Sequence, residues 1–243
     1  MFPEICRIGP LTVYSYGLML VVAFIVASSL IRIQARKESI DADVAFNTLF
    51  FAFVSGIIGA RVFYVIENLK YYLVDPIGII MLQRGGLSWF GGLIAGVLVA
   101  SLYIRKKKLQ IFKVLDLIMP FVALGQAIGR IGCLLNGCCY GIPSRFGIYF
   151  PGHESPLVPT QIYSSLILLL IFISLRFLQD RTHKQGQIFL AYTLLYSSAR
   201  FFIEFWRAEH RIIFLGLNLF QIISILIFFL SCFLFFLTSK AKK

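Results

Sequence analysis

Three arginines interrupt stretches that are otherwise apolar: Arg61 in Gly59-Ala60-Arg61, Arg130 in Gly129-Arg130-Ile131-Gly132, and Arg200 in Ser198-Ala199-Arg200. Arg200 has Tyr196 four residues before it and Glu204 four residues after. Residues four apart share a helix face, so Tyr196, Arg200 and Glu204 form one polar stripe, continued outward by Arg207. A guanidinium keeps its charge in any protein environment, and the chemistry open to such residues is the holding of an anion. The same stripe also reads as an ion pair within one helix that merely neutralises Arg200. Even that pair needs a protein or water interior around it, so both readings demand a polar cavity. Arg61 and Arg130 lie near the outer ends of their apolar runs, and two readings stay open for them, snorkelling to an interface or facing that interior.

The elements that must position these residues are membrane spans. Of 243 residues, 59% are apolar, 16% aromatic and 14% charged, and the mean hydropathy is +0.85. A soluble domain carries roughly a quarter charged residues, so a water-soluble globular protein is excluded. Runs long enough to cross a bilayer, about 20 residues each, fall at 11–33, 44–66, 86–104, 114–135, 161–178, 187–205 and 212–237. They are continuously apolar rather than alternating, which predicts helices and not a barrel. The expected fold is all-α, a polytopic membrane protein with seven transmembrane helices in a single domain over residues 1–243. The start, Met-Phe-Pro-Glu-Ile-Cys, lacks the pattern of a removable signal peptide, so the first span is expected to be retained.

Lys and Arg number 23 against 11 Asp and Glu, a net charge of +12. In a membrane chain this excess bears on orientation and carries no nucleic-acid implication. Arg32, Arg36, Lys37, Arg105 to Lys108, Lys113, Arg176, Arg181, Lys184, Lys240, Lys242 and Lys243 fall on one side of the predicted spans; Arg7, Lys70, Arg84, Arg145, Arg207 and Arg211 fall on the other. The positive-inside tendency then places the N-terminus outside and the C-terminus in the cytoplasm, with residues 136–160 facing out.

Glycines cluster in the outer half, at Gly85, Gly86, Gly91, Gly92 and Gly96 and at Gly125, Gly129, Gly132, Gly137 and Gly141. Gly92-xxx-Gly96 and Gly125-xxx-Gly129 have the spacing of close helix contacts. The pair Gly91-Gly92 beside Trp89 and Phe90 predicts a broken or tightly turned backbone lining a cavity. Asp116 reads as a helix-terminal carboxylate near Lys113, without chemistry.

The block Gly129-Arg130-Ile131-Gly132-Cys133-Leu134-Leu135-Asn136-Gly137-Cys138-Cys139-Tyr140-Gly141 resembles the signature of the prolipoprotein diacylglyceryl transferase family. Gly129, Arg130, Gly132, Asn136, Gly137 and Gly141 stand in register with the family pattern. Tyr14 to Leu18, Gly59-Ala60-Arg61, Gly91 to Ile94, Pro159 to Tyr163 and the Tyr196 to Glu204 stripe resemble its other blocks, so the likeness runs along the whole chain. It implies transfer of the diacylglyceryl group of phosphatidylglycerol to the thiol of a lipobox cysteine in a bacterial prolipoprotein, forming a thioether and releasing glycerol 1-phosphate. Carried onto matching positions, it implies catalytic roles for Arg130, Arg200 and Tyr16. Arg130, Asn136, Gly141, Tyr196, Glu204 and Arg61 are implied to bind substrate, with Glu204 orienting Arg200. The implied partners are phosphatidylglycerol, the prolipoprotein signal peptide and membrane lipids. No cofactor, metal or nucleic acid is expected. The implied place is the bacterial inner membrane, with the active site toward the outer leaflet.

Three positions depart from the pattern: Phe90 stands where the family's better-known members carry His, Cys133 for Asn and Cys138 for Glu. Two readings follow: an arginine field that favours thiolate would make a histidine base dispensable, or the chain is a divergent homologue with altered chemistry. Phe90 also keeps open a homologue that binds phospholipid or signal peptide without transfer, and intramembrane arginines an anion or lipid transporter. Cys133, Cys138, Cys139 and His153 match no zinc spacing, so no metal is assigned.

Overall fold

The computed structural model describes residues 1–8, 11–81, 85–208 and 212–240. Arg84, Arg211, Lys242 and Lys243, used above for orientation, lie outside these residues. Among the described residues, seven helices are long and apolar enough to cross a membrane. They are α1 (Ser15–Lys37), α2 (Ala42–Glu67), α4 (Trp89–Lys106), α5 (Ile111–Asn136), α6 (Thr160–Gln179), α7 (Gln187–Ile203, continued by a 3-10 turn at Glu204–Trp206) and α8 (Leu219–Lys240); a single turn, α3 (Leu69–Tyr72), follows α2. Three antiparallel pairs join them: β1 (Glu4–Ile8) with β2 (Leu11–Tyr14), β3 (Pro143–Phe150) with β4 (Ser155–Leu157), and β5 (Ile212–Phe214) with β6 (Leu217–Asn218).

Two span starts, the first and the last, fall later than expected because hairpins precede them. The first span starts at Ser15, because residues 11–14 pair with β1 and the Ser15 N–H donates to the Pro3 carbonyl at 2.9 Å. The last starts at Leu219. There the Asn218 and Gln221 side chains each accept from the other's backbone N–H, at 2.9 and 3.0 Å, a reciprocal cap that fixes where the helix begins. Upstream, Leu215 and Gly216 have positive φ, the conformation of a tight hairpin turn between β5 and β6.

The chain divides into two compact units, one of residues 1–30 with 115–243 and one of residues 31–114. In the second, α2 packs on α4 through small residues. A Cβ on Gly59 would lie 2.6 Å from the Gly91 carbonyl oxygen and collide with the Ala95 Cβ, and Gly96 lies against the Ala52 carbonyl. Gly91 and Gly92 therefore sit within a regular helix and serve close crossing, correcting the expected break at this pair. The turned backbone comes earlier, at Gly85 and Gly86, both with positive φ.

In the first unit the core is Ala123, Ile171, Leu175, Ile188 and Tyr192, from α5, α6 and α7. Asp116 caps a helix, although not its own: its carboxylate accepts from the N–H groups of Gly186 and Phe189 at the start of α7. Its work is to join α5 to α7. At the opposite end of this unit, the Ile142 N–H donates to the Trp206 carbonyl, Gly141 bridges Arg207, and Phe2 donates to the Leu135 carbonyl. The start of α1, the end of α5, the start of α6 and the end of α7 thus meet at one place.

Candidate active site

At that meeting point lies a cavity lined by Arg130, Ser164, Ile167, Leu168, Tyr196, Ala199, Arg200 and Ile203. Its volume is about 20 Å³, room for one water. The two arginines interact electrostatically across it, and each also interacts with Tyr196. Two guanidiniums held near each other repel, and the arrangement is stable only with compensating negative charge or an anion between them. Part of that compensation is Glu204, whose Oε2 lies 3.0 Å from Arg200 Nη2. The Glu204 side chain is fully buried and its Oε1 accepts from Asn218 Nδ2 at 3.3 Å. The expected polar stripe therefore exists, with Glu204 in the 3-10 turn that ends α7. The Arg200 guanidinium also lies over the Phe220 ring, 5.0 Å from its centre, a cation–π contact.

Tyr16 approaches Arg130 because Gly132 has no side chain: a Cβ there would lie 2.9 Å from the Met19 Cβ and 3.4 Å from the Tyr16 ring. Tyr196 stacks on Tyr192, ring centres 5.7 Å apart, and Tyr192 donates to Gln126 Oε1 at 2.9 Å. Tyr16, from α1, and Tyr196, from α7, thus both interact electrostatically with Arg130.

Asn136 and Gly141 act through the loop between them. Asn136 hydrogen-bonds Cys138. Gly141 is required by close approach, since a Cβ would press on the Trp206 carbonyl, Val158 and Thr160. Four residues of this place, Arg207 and three cysteines, lacked a strong signal in the sequence. Arg207, read only as an outward extension of the stripe, interacts with Arg200 and with Cys139. The cysteines themselves converge: the sulfurs of Cys133, Cys138 and Cys139 all lie within 4.8 Å of one another. Hydrogen bonds from Cys133 and then Cys138, with the charges of Arg207 and Arg130 beyond, hold the Cys139 thiol well below its ordinary range. His153 packs its ring on Tyr140 instead, centres 4.1 Å apart.

Arg61 belongs to the other unit and is engaged differently. Nε donates to the Ile79 carbonyl at 2.9 Å, Nη1 to Gly85 and Gly86, and Nη2 to Gly78 at 2.6 Å and Met81 at 3.1 Å. A guanidinium has five N–H donors, and here all five go to backbone carbonyls. Its role in this structure is to hold the segment after α3 in place. Phe90, also in this unit, stacks edge-on against Trp89.

A family model described as prolipoprotein diacylglyceryl transferase matches residues 3–237. A protein of Clostridium tetani (strain Massachusetts / E88) named phosphatidylglycerol--prolipoprotein diacylglyceryl transferase is 33% identical over 97% of this chain and 97% of its own length. One of Dehalococcoides mccartyi with the same name is 35% identical over 99% of this chain and 95% of itself. One of Clostridium perfringens (strain 13 / Type A), named as transferase 2 of that kind, is 35% identical over 83% of this chain and 81% of itself.

Proposed function

This chain belongs to the prolipoprotein diacylglyceryl transferase family, and we propose that it moves the diacylglyceryl group of phosphatidylglycerol onto the thiol of a lipobox cysteine in a prolipoprotein. The observation that carries the reading is the pair Arg130 and Arg200, brought from two helices to one cavity with Tyr196 between their fields.

In this reaction the substrate thiolate attacks the glyceryl carbon bonded to the phosphate oxygen. A C–S bond forms, that C–O bond breaks, and its electron pair leaves on glycerol 1-phosphate, whose phosphate gains one negative charge. The thiol proton goes to water. Charge that appears only as the reaction proceeds is what fixed guanidiniums stabilise best, because they bind the transition state more tightly than the lipid. Arg130 and Arg200 take the phosphate oxygens; Tyr16 and Tyr196 donate hydrogen bonds to the head group. Glu204 holds Arg200 in its plane, and Arg61 supports its own segment as a positioning residue. The cavity-lining residues include no carboxylate or imidazole. The cationic field is then what favours thiolate, and a thiol of ordinary pKa about 8.5 needs only a modest shift.

A 20 Å³ cavity is far smaller than a glycerophosphate head group, so lipid entry displaces side chains laterally between helices. The site is assigned to the outer leaflet of the bacterial inner membrane, with the N-terminus outside and the C-terminus cytoplasmic, supported by the basic residues that follow α1, α4 and α6. The test is to incubate purified protein in phosphatidylglycerol vesicles with a lipobox peptide and follow the peptide by mass. A diacylglyceryl increment on its cysteine is expected. Lipid binding without the increment, or anion flux without it, overturns the reading.

A further inference from the structure

The end of α5 is built in a way that the transfer reaction does not call for. Gly137 has φ +74°, its N–H donates to the Leu134 carbonyl at 3.1 Å, and the Cys138 N–H donates to the Cys133 carbonyl at 3.1 Å. Those paired bonds, closing over three and five residues behind a left-handed glycine, define a Schellman helix end. The motif brings together the side chains that flank it on the helix and beyond the glycine, ordinarily an apolar pair. In this chain both are cysteines, Cys133 and Cys138.

The third sulfur is brought in at a cost. Cys139 has φ +63°, a conformation L side chains rarely adopt and keep only where the surroundings enforce it. The first two residues of α6 enforce it here. Thr160 Oγ1 donates to the Cys139 carbonyl at 2.6 Å and Gln161 Nε2 to the Cys138 carbonyl at 2.7 Å. With both carbonyls pinned toward α6, the thiols turn back to Cys133, and the three sulfurs form a triangle.

We propose that Cys133, Cys138 and Cys139 form a three-thiolate site for one thiophilic cation with a filled d shell, Zn²⁺ or Cu⁺. A metal about 2.3 Å from each sulfur in tetrahedral geometry needs sulfurs about 3.8 Å apart, and all three pairs already lie within 4.8 Å, so closing the site takes rotamer adjustment and no backbone movement. Three sulfurs each near the other two suit a shared central ion; a disulfide uses two and leaves the third. Metal ligation requires deprotonated sulfur. Three thiolates on Zn²⁺ carry one net negative charge, and on Cu⁺ two, in a place where Arg130 and Arg207 supply positive charge. Cys133 is buried while Cys138 and Cys139 are half-buried, so the latter two form the more accessible edge of the triangle.

The experiment uses the full chain, purified in detergent, reduced and freed of metal with a chelator. Zn²⁺, and Cu⁺ kept under reducing, oxygen-free conditions, are added in separate titrations, and each cysteine is followed by alkylation and mass spectrometry. Cys6 and Cys232, exposed and far along the chain, serve as internal controls. One equivalent of either ion is expected to slow alkylation of Cys133, Cys138 and Cys139 together by at least tenfold while leaving the two controls unchanged; direct competition then identifies the preferred ion. Cobalt titration gives a second readout, an intense thiolate-to-metal absorption band that Cys133→Ser, Cys138→Ser or Cys139→Ser each abolishes. Equal alkylation with and without metal overturns the proposal, as does finding two of these three cysteines joined in a disulfide in the protein as isolated.

Discussion

Arg200 Nη2 lies 3.0 Å from Glu204 Oε2, and the other oxygen of that carboxylate accepts from Asn218 at the start of α8. One buried carboxylate therefore sets both the direction of the guanidinium and the way α7 hands over to α8. Removing one partner of such a pair leaves an uncompensated charge, at a cost of about 3–5 kcal/mol.

Replacing Glu204 by Gln keeps the shape and one acceptor and removes the charge. The variant is expected to lose at least tenfold in diacylglyceryl transfer and to melt earlier than the parent. Transfer at the parental rate would show that Arg200 is oriented by Phe220 alone.

Arg130→Lys and Arg200→Lys separate charge from geometry. A lysine retains the positive charge but not the planar fork that meets two phosphate oxygens at once. Each variant is expected to fall about tenfold to a hundredfold in kcat, a loss of roughly 1.4–2.7 kcal/mol in transition-state stabilisation, with phosphatidylglycerol binding less affected. Alanine at either position should abolish detectable transfer; full activity in Arg130→Ala or Arg200→Ala refutes the assigned roles.

For Arg61 the readout is stability. Five carbonyls lose their donor in Arg61→Ala, and hydrogen bonds to a charged group contribute about 1.5–3 kcal/mol each at most, not additively. The variant should open the segment 76–81 to limited proteolysis and lower the melting temperature, and Arg61→Lys should recover only part of the loss. Unchanged protease resistance in Arg61→Ala would remove the positioning role.

Gly59→Ala tests the crossing of α2 and α4. The added methyl meets the Gly91 carbonyl and the Ala95 side chain, and neither has a flexible end that can move aside. Misfolding or a marked fall in the yield of stable protein is expected, whereas Gly17→Ala, where a Cβ meets nothing within 4 Å, should behave as the parent.

The count of spans and the stripe of Tyr196, Arg200 and Glu204 were legible because hydrophobic length and helical spacing are direct consequences of bilayer and helix geometry. The hairpins at the two ends were not, since Leu11 to Tyr14 and Ile212 to Phe214 are as apolar as a span. Their signals were local: Leu215-Gly216 as a turn, and Asn218 with Gln221 three residues on as a cap. Gly91-Gly92 misled for a related reason, as glycine serves both bent backbone and close packing and only the partner helix decides which. The cysteine triangle depended on Gly137 taking a left-handed φ, after which the spacing of Cys133 and Cys138 becomes that of a closed helix end.

Arg130 is six residues from the end of α5 and Arg200 three from the end of α7. At 1.5 Å per residue both lie within about 9 Å of the helix ends. For the proposed transfer, a site at that depth would sort its own products: a small dianion would leave for water, while the peptide would acquire two acyl chains and stay in lipid. Partition into different phases would then keep the two from meeting again, and would give the transfer its direction.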